Sequence, residues 1–424
     1  MKESGIDWIG QIPQEWEVIK FKYLGDVKQG LTYSPSDIVD KDEGILVLRS
    51  GNIQNGILDF NNNVYVKTKV AESIVLRKND ILITARNGSP ALIGKNAIID
   101  TDITATFGAF MMVFRANKSL LAKFAFYLMN VSFNFYRTFF TTSTVNQLTA
   151  AIFNGIEVPL PSISEQQKIA DFLDKKTAQL DKVKALLEEQ IQKLKDYRAS
   201  LIYETVTKGL DETTLMKDSG IDWIGQVPQG WGVKPLKYLA SYDDETLTQS
   251  EINSNRKIDY VDISSVEFTK GINGHQEFST LEAPSRARKI AKKGDTIIST
   301  VRTYLKAIAY VNNDYIVSTG FCVVRPKKIN SKYLNYTIMS DSFTGPVSKY
   351  AWGVSYPAIS SSQLVNIPIP FPESIEEQLS IVDYLDHKML QINQLIDIKQ
   401  EQIENINKQR QTLIYDYVTG KRRV

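Results

Sequence analysis

One stretch of the sequence concentrates the residue types that bind phosphate groups. Residues 282–306, EAPSRARKIAKKGDTIISTVRTYLK, hold seven lysines and arginines and only two acidic residues. The whole chain has a formal net charge of +2, so its total charge does not by itself indicate a nucleic-acid-binding protein. The local excess predicts a surface that attracts phosphate. The alternative is a set of unrelated, solvated surface charges.

Each half of the chain also contains a polar loop that follows a short apolar strand. Residues 77–100 read RKNDILITARNGSPALIGKNAIID, and residues 292–313 read KKGDTIISTVRTYLKAIAYVNN. Both patterns predict a turn, a strand rich in Ile and Thr, and then a polar loop. Arg86 lies in the first loop and Arg302 in the second. The regions around them are rich in Gly, Thr, Val, Ile, Phe and Tyr, which indicates mixed α/β domains.

No motif in the sequence indicates catalysis. Residues 88–96, GSPALIGKN, resemble a phosphate-binding loop, but five residues rather than four separate the two glycines, and Asn96 stands where Ser or Thr would bind Mg²⁺. The sequence also lacks an Asn/Asp-Pro-Pro-aromatic methyltransferase motif and a Gly-x-Ser-x-Gly nucleophile elbow. Cys322 is the only cysteine, and His275 and His387 are the only histidines, which argues against a disulfide or a zinc site. We therefore expect a binding protein with no catalytic or metal-binding residues.

The loops belong to a duplicated sequence. SGIDWIGQIPQEW at residues 4–16 recurs as SGIDWIGQVPQGW at residues 219–231, and EQQKIADFLD at residues 165–174 parallels EQLSIVDYLD at residues 377–386. The middle regions of the two copies hardly resemble each other. Repeated ends with variable middles predict one scaffold that carries two different binding domains. We expect the repeated tryptophans to anchor each lead-in segment against a domain or a helix end: Trp8, Trp16, Trp223 and Trp231.

A long helix is predicted at the end of each copy. Residues 164–207 contain neither Pro nor Gly, and an apolar residue recurs at every seventh position in the first copy and, apart from Lys399, in the second. This heptad pattern predicts a coiled coil, with Ser164 and Ser374 as candidate N-caps. A pair formed within the chain is the simplest arrangement; a homodimeric coiled coil, or separate packing of each helix on its own domain, is the alternative. The stripe comprises Leu173, Leu180, Leu187, Leu194, Leu201, Leu385, Ile392, Ile406 and Leu413.

These observations predict an α+β fold with a pseudo-twofold internal repeat. Two globular mixed α/β domains are expected at residues 1–162 and 211–373. Two long antiparallel coiled-coil helices, at residues 163–210 and 374–424, are expected to separate the domains.

The order and duplication of these segments resemble the specificity (S) subunits of type I restriction-modification systems. SGIDWIGQIPQEWEVIKFKYL is similar to that family's lead-in to a target recognition domain. GIEVPLPSISEQQKIADFLD and LVNIPIPFPESIEEQLSIVDYLD resemble its junctions between a recognition domain and a conserved helix. The resemblance covers nearly the whole chain. It implies that the two globular domains are target recognition domains and that the two helices are the central and C-terminal conserved helices.

The resemblance also implies a function and a set of partners. Each recognition domain would read one half of a bipartite, asymmetric site in double-stranded DNA. The helices would set the gap between the half-sites and dock two methyltransferase (M) subunits, and restriction (R) subunits would join that core. S-adenosylmethionine, ATP and Mg²⁺ would be bound by those partners, and this chain would carry no cofactor and no catalytic residue. The heptad stripe would serve helix pairing and partner docking.

The candidates for DNA contact follow from the chemistry of phosphates and base edges. In the second domain the predicted phosphate contacts are Arg286, Arg288, Lys289, Lys292 and Lys293. The loop residues expected to reach bases are Arg302, Tyr304 and Lys306. In the first domain the candidates are Arg49, Asn52, Arg86, Asn87, Ser89 and Lys95. For any one of these residues, a solvated surface position is the alternative.

Two further segments lie just before the proline-rich junctions. FTTSTVNQLTAA occupies residues 140–151, and KYAWGVSYPAIS occupies residues 349–360. Their polar and aromatic residues are typical either of loops that contact DNA or of a connection between a domain and a helix.

A protein of another class remains open from the sequence. A non-enzymatic coiled-coil scaffold with two peptide- or sugar-binding modules would also fit, and the salt dependence of binding distinguishes it from a DNA-binding protein. An unrecognised nuclease is disfavoured because no carboxylate cluster stands out. The chain lacks an apolar run of ~18 residues and begins with MKESGIDW, which has no apolar signal core. We therefore expect a cytoplasmic protein without a membrane partner.

Overall fold

The computed structural model describes residues 1–140 and 146–424. Its contacts divide the chain into two compact units. Unit 1 comprises Met1–Leu187 and Glu401–Val424, and unit 2 comprises Glu188–Gln400. Each unit therefore contains one globular domain and a part of each long helix. The four-part division expected from the sequence stays a prediction.

The first half of the chain contains short strands and three helices. The strands are β1 Lys2–Glu3, β2 Gln11–Ile12, β3 Glu17–Lys20, β4 Gly25–Gln29, β5 Ile38–Val39, β6 Ile45–Leu48, β7 Ile53–Gln54, β8 Ile57–Leu58, β9 Val64–Val66, β10 Ile81–Thr84, β11 Asn96–Ile98, β12 Ala105–Phe107, β13 Met111–Ala116 and β14 Glu157–Leu160. The helices are α1 Ala122–Tyr136, α2 Ala150–Gly155 and α3 Ile163–Lys208.

The second half repeats this pattern. The strands are β15 Met216–Asp218, β16 Gln226–Pro228, β17 Trp231–Pro235, β18 Ala240–Tyr242, β19 Lys257–Val261, β20 Val266–Glu267, β21 Gly271–Ile272, β22 Gln276–Ser279, β23 Ala287–Ala291, β24 Thr296–Ser299, β25 Ile308–Tyr310, β26 Tyr315–Ser318, β27 Phe321–Pro326 and β28 Pro368–Pro372. The helices are α4 Gln249–Asn253, α5 Ser331–Met339, α6 Asp341–Tyr350, α7 Ser361–Leu364 and α8 Ile375–Val418.

The first sheet has the same strand order in both units, whereas the second sheet shares three strands and carries its fourth strand at opposite edges, β5 beside β9 and β23 beside β26. In unit 1 the sheets have the orders β11-β10-β13-β4 and β12-β6-β9-β5, with β12 parallel to β6. In unit 2 they have the orders β25-β24-β27-β18 and β22-β19-β26-β23, with β19 parallel to β26. Every residue of β10 and of β24 is buried, as expected for strands that are covered on both faces. The predicted mixed α/β class and the internal repeat are thereby confirmed.

A two-stranded ribbon closes each globular domain. The lead-in strand β3 pairs with β14, which directly precedes α3, and β17 pairs with β28, which directly precedes α8. At each ribbon a buried tryptophan donates an indole hydrogen bond to a glutamate in the first turn of the helix. Trp16 bonds Glu165 at 3.0 Å, and Trp231 bonds Glu377 at 2.9 Å. The predicted anchoring by these two tryptophans is confirmed.

The helix N-caps agree with the sequence in one copy and differ in the other. The hydroxyl of Ser374 accepts a hydrogen bond from the backbone N–H of Glu377 at 3.3 Å, as the capping spacing predicts. In the first copy the cap is Ser162, whose hydroxyl accepts from the N–H of Glu165 at 3.3 Å. The prediction of Ser164 was wrong, because Ser164 lies inside the first turn and only a residue that precedes the helix can occupy the N-cap position.

The two long helices pair in an antiparallel sense within each unit. In unit 1, Asp181 of α3 forms an ion pair with Arg410 of α8 at 3.5 Å. In unit 2, Lys399 Nζ donates to Gln190 at 2.6 Å and Arg198 donates to Asn393 at 2.7 Å. The residue numbers on α8 therefore decrease along the pair as those on α3 increase, which is the antiparallel order.

The ends of the helices complete the core of each unit. In unit 1, Ile414 and Val418 of α8 join Trp16, Ile169 and Leu173 in one apolar cluster. In unit 2, the C-terminal part of α3 plays the same role beside Trp231 and the first turns of α8. Within the described residues, no helix combines the length and apolarity needed to cross a lipid bilayer.

Candidate nucleic-acid interface

A cleft of about 1250 Å³ opens on one face of the globular domain in unit 1. Arg49 directly follows β6, and Arg86 follows β10, so the ends of two strands bring both guanidinium groups to this cleft. The backbone N–H groups of Ala85 and Arg86 both donate to the carbonyl of Phe110 at 2.9 Å. These bonds hold the segment that carries Arg86 against the segment that carries Phe110. The exposed ring of Phe110 lies in the wall. The result is a cationic, partly apolar concave surface.

The remaining candidates of unit 1 differ in accessibility. Ser89 is exposed, and its backbone N–H donates to the side-chain carbonyl of Asn87, which lines the cleft. Lys95 donates to the carbonyl of Ser50 at 3.3 Å, and burial lowers the pKa of its ammonium group. Asn52 is buried, and its amide group donates to the carbonyl of Asp59 at 2.9 Å while its oxygen accepts from the N–H of Arg49. The side chain of Asn52 is therefore engaged in the loop and cannot reach a DNA base in this structure.

In unit 2 the loop after β24 has an unusual backbone. Arg302 and Lys306 adopt φ angles of +50° and +46°, on either side of a single 3₁₀ turn. Left-handed conformations are strained for residues with a Cβ and are enriched at ligand-binding sites. Within this turn Thr303 is buried, whereas the ring of Tyr304 is exposed. Lys306 Nζ forms an ion pair with Asp341 at 2.8 Å, so its charge is partly compensated.

A second loop packs beside it. The backbones of Trp352 and Ala358 exchange two hydrogen bonds of 2.8 and 2.9 Å, and the N–H of Arg302 donates to the carbonyl of Pro357 at 2.8 Å. The guanidinium group of Arg302 lies over the ring of Tyr356, 4.7 Å from its centroid. Residues 300–306 and 352–358 thus form one surface with an arginine at its centre.

The two units use equivalent backbone positions with different side chains. In unit 1, Arg86 forms an isolated antiparallel bridge with Gln147, and in unit 2, Val301 forms the same kind of bridge with Ala358. Gln147, in the segment 140–151 singled out from the sequence, therefore occupies the place that Ala358 of the segment 349–360 occupies in unit 2. Positions 141–145 of that segment lie outside the described residues.

The basic run of unit 2 is largely neutralised by an acidic segment. Lys289 forms an ion pair with Asp243 at 2.6 Å, and Lys292 forms one with Glu245 at 2.7 Å. Hydrogen bonds from Lys292, and then from Arg325, lower the pKa of Glu245. Lys289 also donates to the carbonyl of Phe321 at 2.6 Å, which leaves its side chain little exposed. These two lysines have partners within the chain.

The other members of the run differ in accessibility. Arg286 is exposed and pairs with Asp262; a hydrogen bond with Tyr260, followed by the charge of Asp262, raises the pKa of its guanidinium group. Arg288 is half-buried, and Lys293 is exposed. The candidates of unit 2 that combine exposure with an available polar group are Arg286, Lys293, Arg302 and Tyr304.

Comparison with known families matches both copies of the repeat. The sequence profile of the type I restriction modification DNA specificity domain matches residues 13–195 and again residues 228–408. The chain belongs to this family. It is a specificity subunit of a type I restriction-modification system.

Relatives of this specificity subunit extend over its full length. The specificity subunit of the type I restriction enzyme MjaVIII from Methanocaldococcus jannaschii is 26% identical over 432 residues, which covers 98% of this chain and 94% of that protein. The EcoKI specificity subunit from Escherichia coli is 31% identical over 208 residues, or 48% of this chain and 45% of that protein.

Solved structures support the same fold. A chain from a study of complex assembly and conformational transition in a type I restriction-modification system has a TM-score of 0.71 and 18% identity, and the match covers 97% of this chain and 100% of that one. The HsdS subunit from Thermoanaerobacter tengcongensis has a TM-score of 0.52 and 18% identity, with full coverage of both chains.

The heptad stripe of the specificity subunit lies mainly between the helices or against the domains. Leu173, Leu201, Leu385 and Ile392 are buried. The half-buried members of the stripe are Leu180, Leu187, Leu194, Ile406 and Leu413. Several apolar residues of the helices that do not belong to the stripe are exposed. These include Val183 and Leu186 in unit 1, and Leu390, Leu395 and Ile398 in unit 2.

One group of potential metal ligands stands out among the described residues of this specificity subunit. Asp259 and Glu277 face each other on β19 and β22, and His275 Nε2 lies 3.5 Å from Asp259 Oδ1. Their ligand atoms lie within 4.8 Å of one another. All three residues are exposed, and no other feature of the site indicates a metal.

Proposed function

We propose that this specificity subunit reads a bipartite, asymmetric DNA site, one half-site with each recognition domain. The observation that carries the proposal is the repeated backbone with changed side chains: Arg86 bridges Gln147 in unit 1, and Val301 bridges Ala358 in unit 2. A shared scaffold would approach both half-sites alike, and different side chains would select different bases. Bidentate contacts to base edges are the usual source of such selectivity.

Different residues would contact DNA in the two units. In unit 1, we assign Arg49, Arg86 and Asn87 to the DNA surface because they line one cleft. In unit 2, Arg302 and Tyr304 occupy the strained loop. Among the predicted phosphate contacts, we favour Lys293 because it is exposed. Arg286 is exposed but already paired with Asp262, Arg288 is half-buried, and the charges of Lys289 and Lys292 are paired with Asp243 and Glu245.

The long helices would set the gap between the half-sites and dock two methyltransferase subunits. In support, the exposed apolar residues Val183 and Leu186 of unit 1, and Leu390 and Ile398 of unit 2, would be covered by protein partners. The stripe residues would hold the helix pair together. The division into recognition domains at residues 1–162 and 211–373 and helices at residues 163–210 and 374–424 belongs to the same proposal.

Catalysis would be left to the partners. The methyltransferase subunits would bind S-adenosylmethionine and modify one adenine in each half-site, and the restriction subunits would use ATP and Mg²⁺. This chain would contribute sequence recognition alone.

The decisive experiment is co-expression with the methyltransferase encoded beside the gene, in a host without DNA methylation. Long-read sequencing then reports the methylated adenines. We expect a single two-part motif with a fixed gap. The control is the same methyltransferase with another specificity subunit known to activate it. If that control methylates DNA and this chain yields no motif, the scaffold alternative is favoured.

Arginine variants sharpen the same experiment. Arg86→Ala should relax or abolish recognition in one half-site only, and Arg302→Ala should do so in the other. A loss of both half-sites with either variant would argue against separate reading.

A further inference from the structure

We propose that the hairpin at residues 352–356 is an apolar wedge that unstacks one base step in the half-site read by unit 2. The inference rests on the proposed function, because it names how one recognition domain engages duplex DNA. Apolar side chains inserted between base pairs are a known way to kink DNA and to extend the contact surface.

The first observation is the exposure of the hairpin. Trp352 is 88% exposed, Val354 is fully exposed and Tyr356 is 63% exposed. Tyr304 and Leu305 of the neighbouring loop are exposed as well. Solvent contact with so much clustered apolar and aromatic surface is unfavourable, and such patches mark interaction sites. We therefore infer that a binding partner covers the hairpin.

The second observation is that the hairpin is fixed in place. The two-way hydrogen bonds between Trp352 and Ala358 close it, and the N–H of Ile359 donates to the carbonyl of Thr300 at 2.9 Å below it. Gly353 has φ +118°, and a Cβ at this position would lie 3.0 Å from the carbonyl oxygen of Tyr356. The turn thus requires glycine. A preformed wedge loses little conformational entropy when it binds.

The third observation is the charge around the hairpin, which selects the occupant. Residues 300–306 and 349–358 contain Arg302, Lys306 and Lys349 and no acidic residue. Because Asp341 already pairs with Lys306, the cations that select the occupant are Arg302 and Lys349. Arg302 covers one face of the Tyr356 ring, so a cation and an aromatic ring are presented together. DNA has the matching chemistry, since it offers phosphates beside the flat apolar faces of bases. We therefore assign the surface to duplex DNA and not to a protein partner.

The test uses the full chain bound to its methyltransferase and a DNA duplex that carries the methylated motif. 2-Aminopurine replaces one purine at a time across both half-sites, and its fluorescence rises when the base loses its stacking partners. The target adenine of each half-site should respond, because enzymes that modify a base extrude it from the helix. We expect one additional responding position, in a single half-site.

Variants identify the side chain responsible. Trp352→Ala should abolish the additional response and weaken binding about 5- to 150-fold, the range typical for loss of one base–aromatic stack. Trp352→Phe should retain most of both. Tyr238→Ala removes a ring of unit 2 that is 60% exposed and lies outside the two loops, and it should change neither.

The outcomes separate this inference from the proposed function. A wild-type complex that methylates a two-part motif without the additional response, or a Trp352→Ala complex that keeps it, would overturn the wedge and leave the proposed function intact. Normal DNA binding by Trp352→Ala together with loss of the methyltransferase would reassign the hairpin to a protein contact. A wild-type chain that directs no methylation would overturn both.

Discussion

The indole N–H of Trp231 donates a 2.9 Å hydrogen bond to the carboxylate of Glu377, and Trp16 and Glu165 repeat the contact in unit 1. Each contact joins a lead-in segment to the first turn of a long helix, more than a hundred residues further along the chain. The glutamate also lies at the helix end where a negative charge is favourable. The lead-in motif is thus repeated because each copy makes the same attachment to the long helix that follows it.

We expect Glu377→Ala to weaken unit 2 selectively. The variant leaves the buried indole N–H of Trp231 without its acceptor, which costs about 1–2 kcal/mol. Amide hydrogen exchange should accelerate in residues 188–400 and stay unchanged in residues 1–187. Glu165→Ala is the matched control and should show the reverse pattern. Equal acceleration in both units with either variant would contradict local anchoring.

Salt dependence should separate exposed cations from paired ones. The logarithm of the DNA-binding constant falls linearly with the logarithm of the salt concentration. If Arg302 contacts a phosphate, Arg302→Gln should make this slope less steep by about 0.9. Lys289→Gln should leave the slope unchanged, because its ammonium group is already held by Asp243, and should instead lower the stability of unit 2. The measurement is a titration of a labelled duplex at several salt concentrations. The reverse pattern would assign the DNA contact to the basic run.

Lengthening both helices should lengthen the gap of the DNA motif. We suggest inserting four residues after Leu187 in α3 and four after Gln400 in α8, because about one turn preserves the face of each helix. The insertion adds ~6 Å, equivalent to about two base pairs, and each half-site should keep its sequence. Methylated-motif sequencing reads the result. An equal insertion in the exposed segment at residues 211–215 is the control and should not change the gap.

Gly420 should tolerate alanine less well than Gly10. Both adopt a positive φ, of +72° and +68° respectively, so either substitution costs about 1–2 kcal/mol of backbone strain. At Gly420 a Cβ would also lie 2.4 Å from Cδ of Pro13, whereas nothing lies within 4 Å at Gly10. Hydrogen exchange in unit 1 should therefore be faster in Gly420→Ala than in Gly10→Ala. Similar rates would show that the Pro13 contact relaxes without cost.

The sequence could predict what depends on local pattern. Both long helices, α1, α5 and the equivalent strands β10 and β24 follow from periodicity and from the repeat. It could not reveal that Asp243 and Glu245 neutralise Lys289 and Lys292, because those ion pairs join residues 46 and 47 positions apart. The burial of Asn52 was equally hidden, since a polar residue after a strand is usually exposed.

The exposed aromatic residue Phe110 at the candidate interface could not be predicted from the sequence. Phe110 lies within an apolar run that is typical of a core strand, and only the turn between β12 and β13 brings its ring to the surface. Trp352 was noted within a candidate loop, but its exposure depends on the backbone pairing with Ala358. Such positions follow from tertiary contacts and leave no periodic signal.

The membership of residues 401–424 in unit 1 has a consequence for protein synthesis. The apolar cluster that contains Trp16 needs Ile414 and Val418, which are translated after all of unit 2. At about 5–20 residues per second, roughly 12–50 s separate the translation of Leu187 from that of Val424. Unit 2, which ends at Gln400, has all its residues sooner. Translation of unit 1 thus begins before that of unit 2 but is completed after it, and unit 1 must avoid aggregation until residues 401–424 have been made.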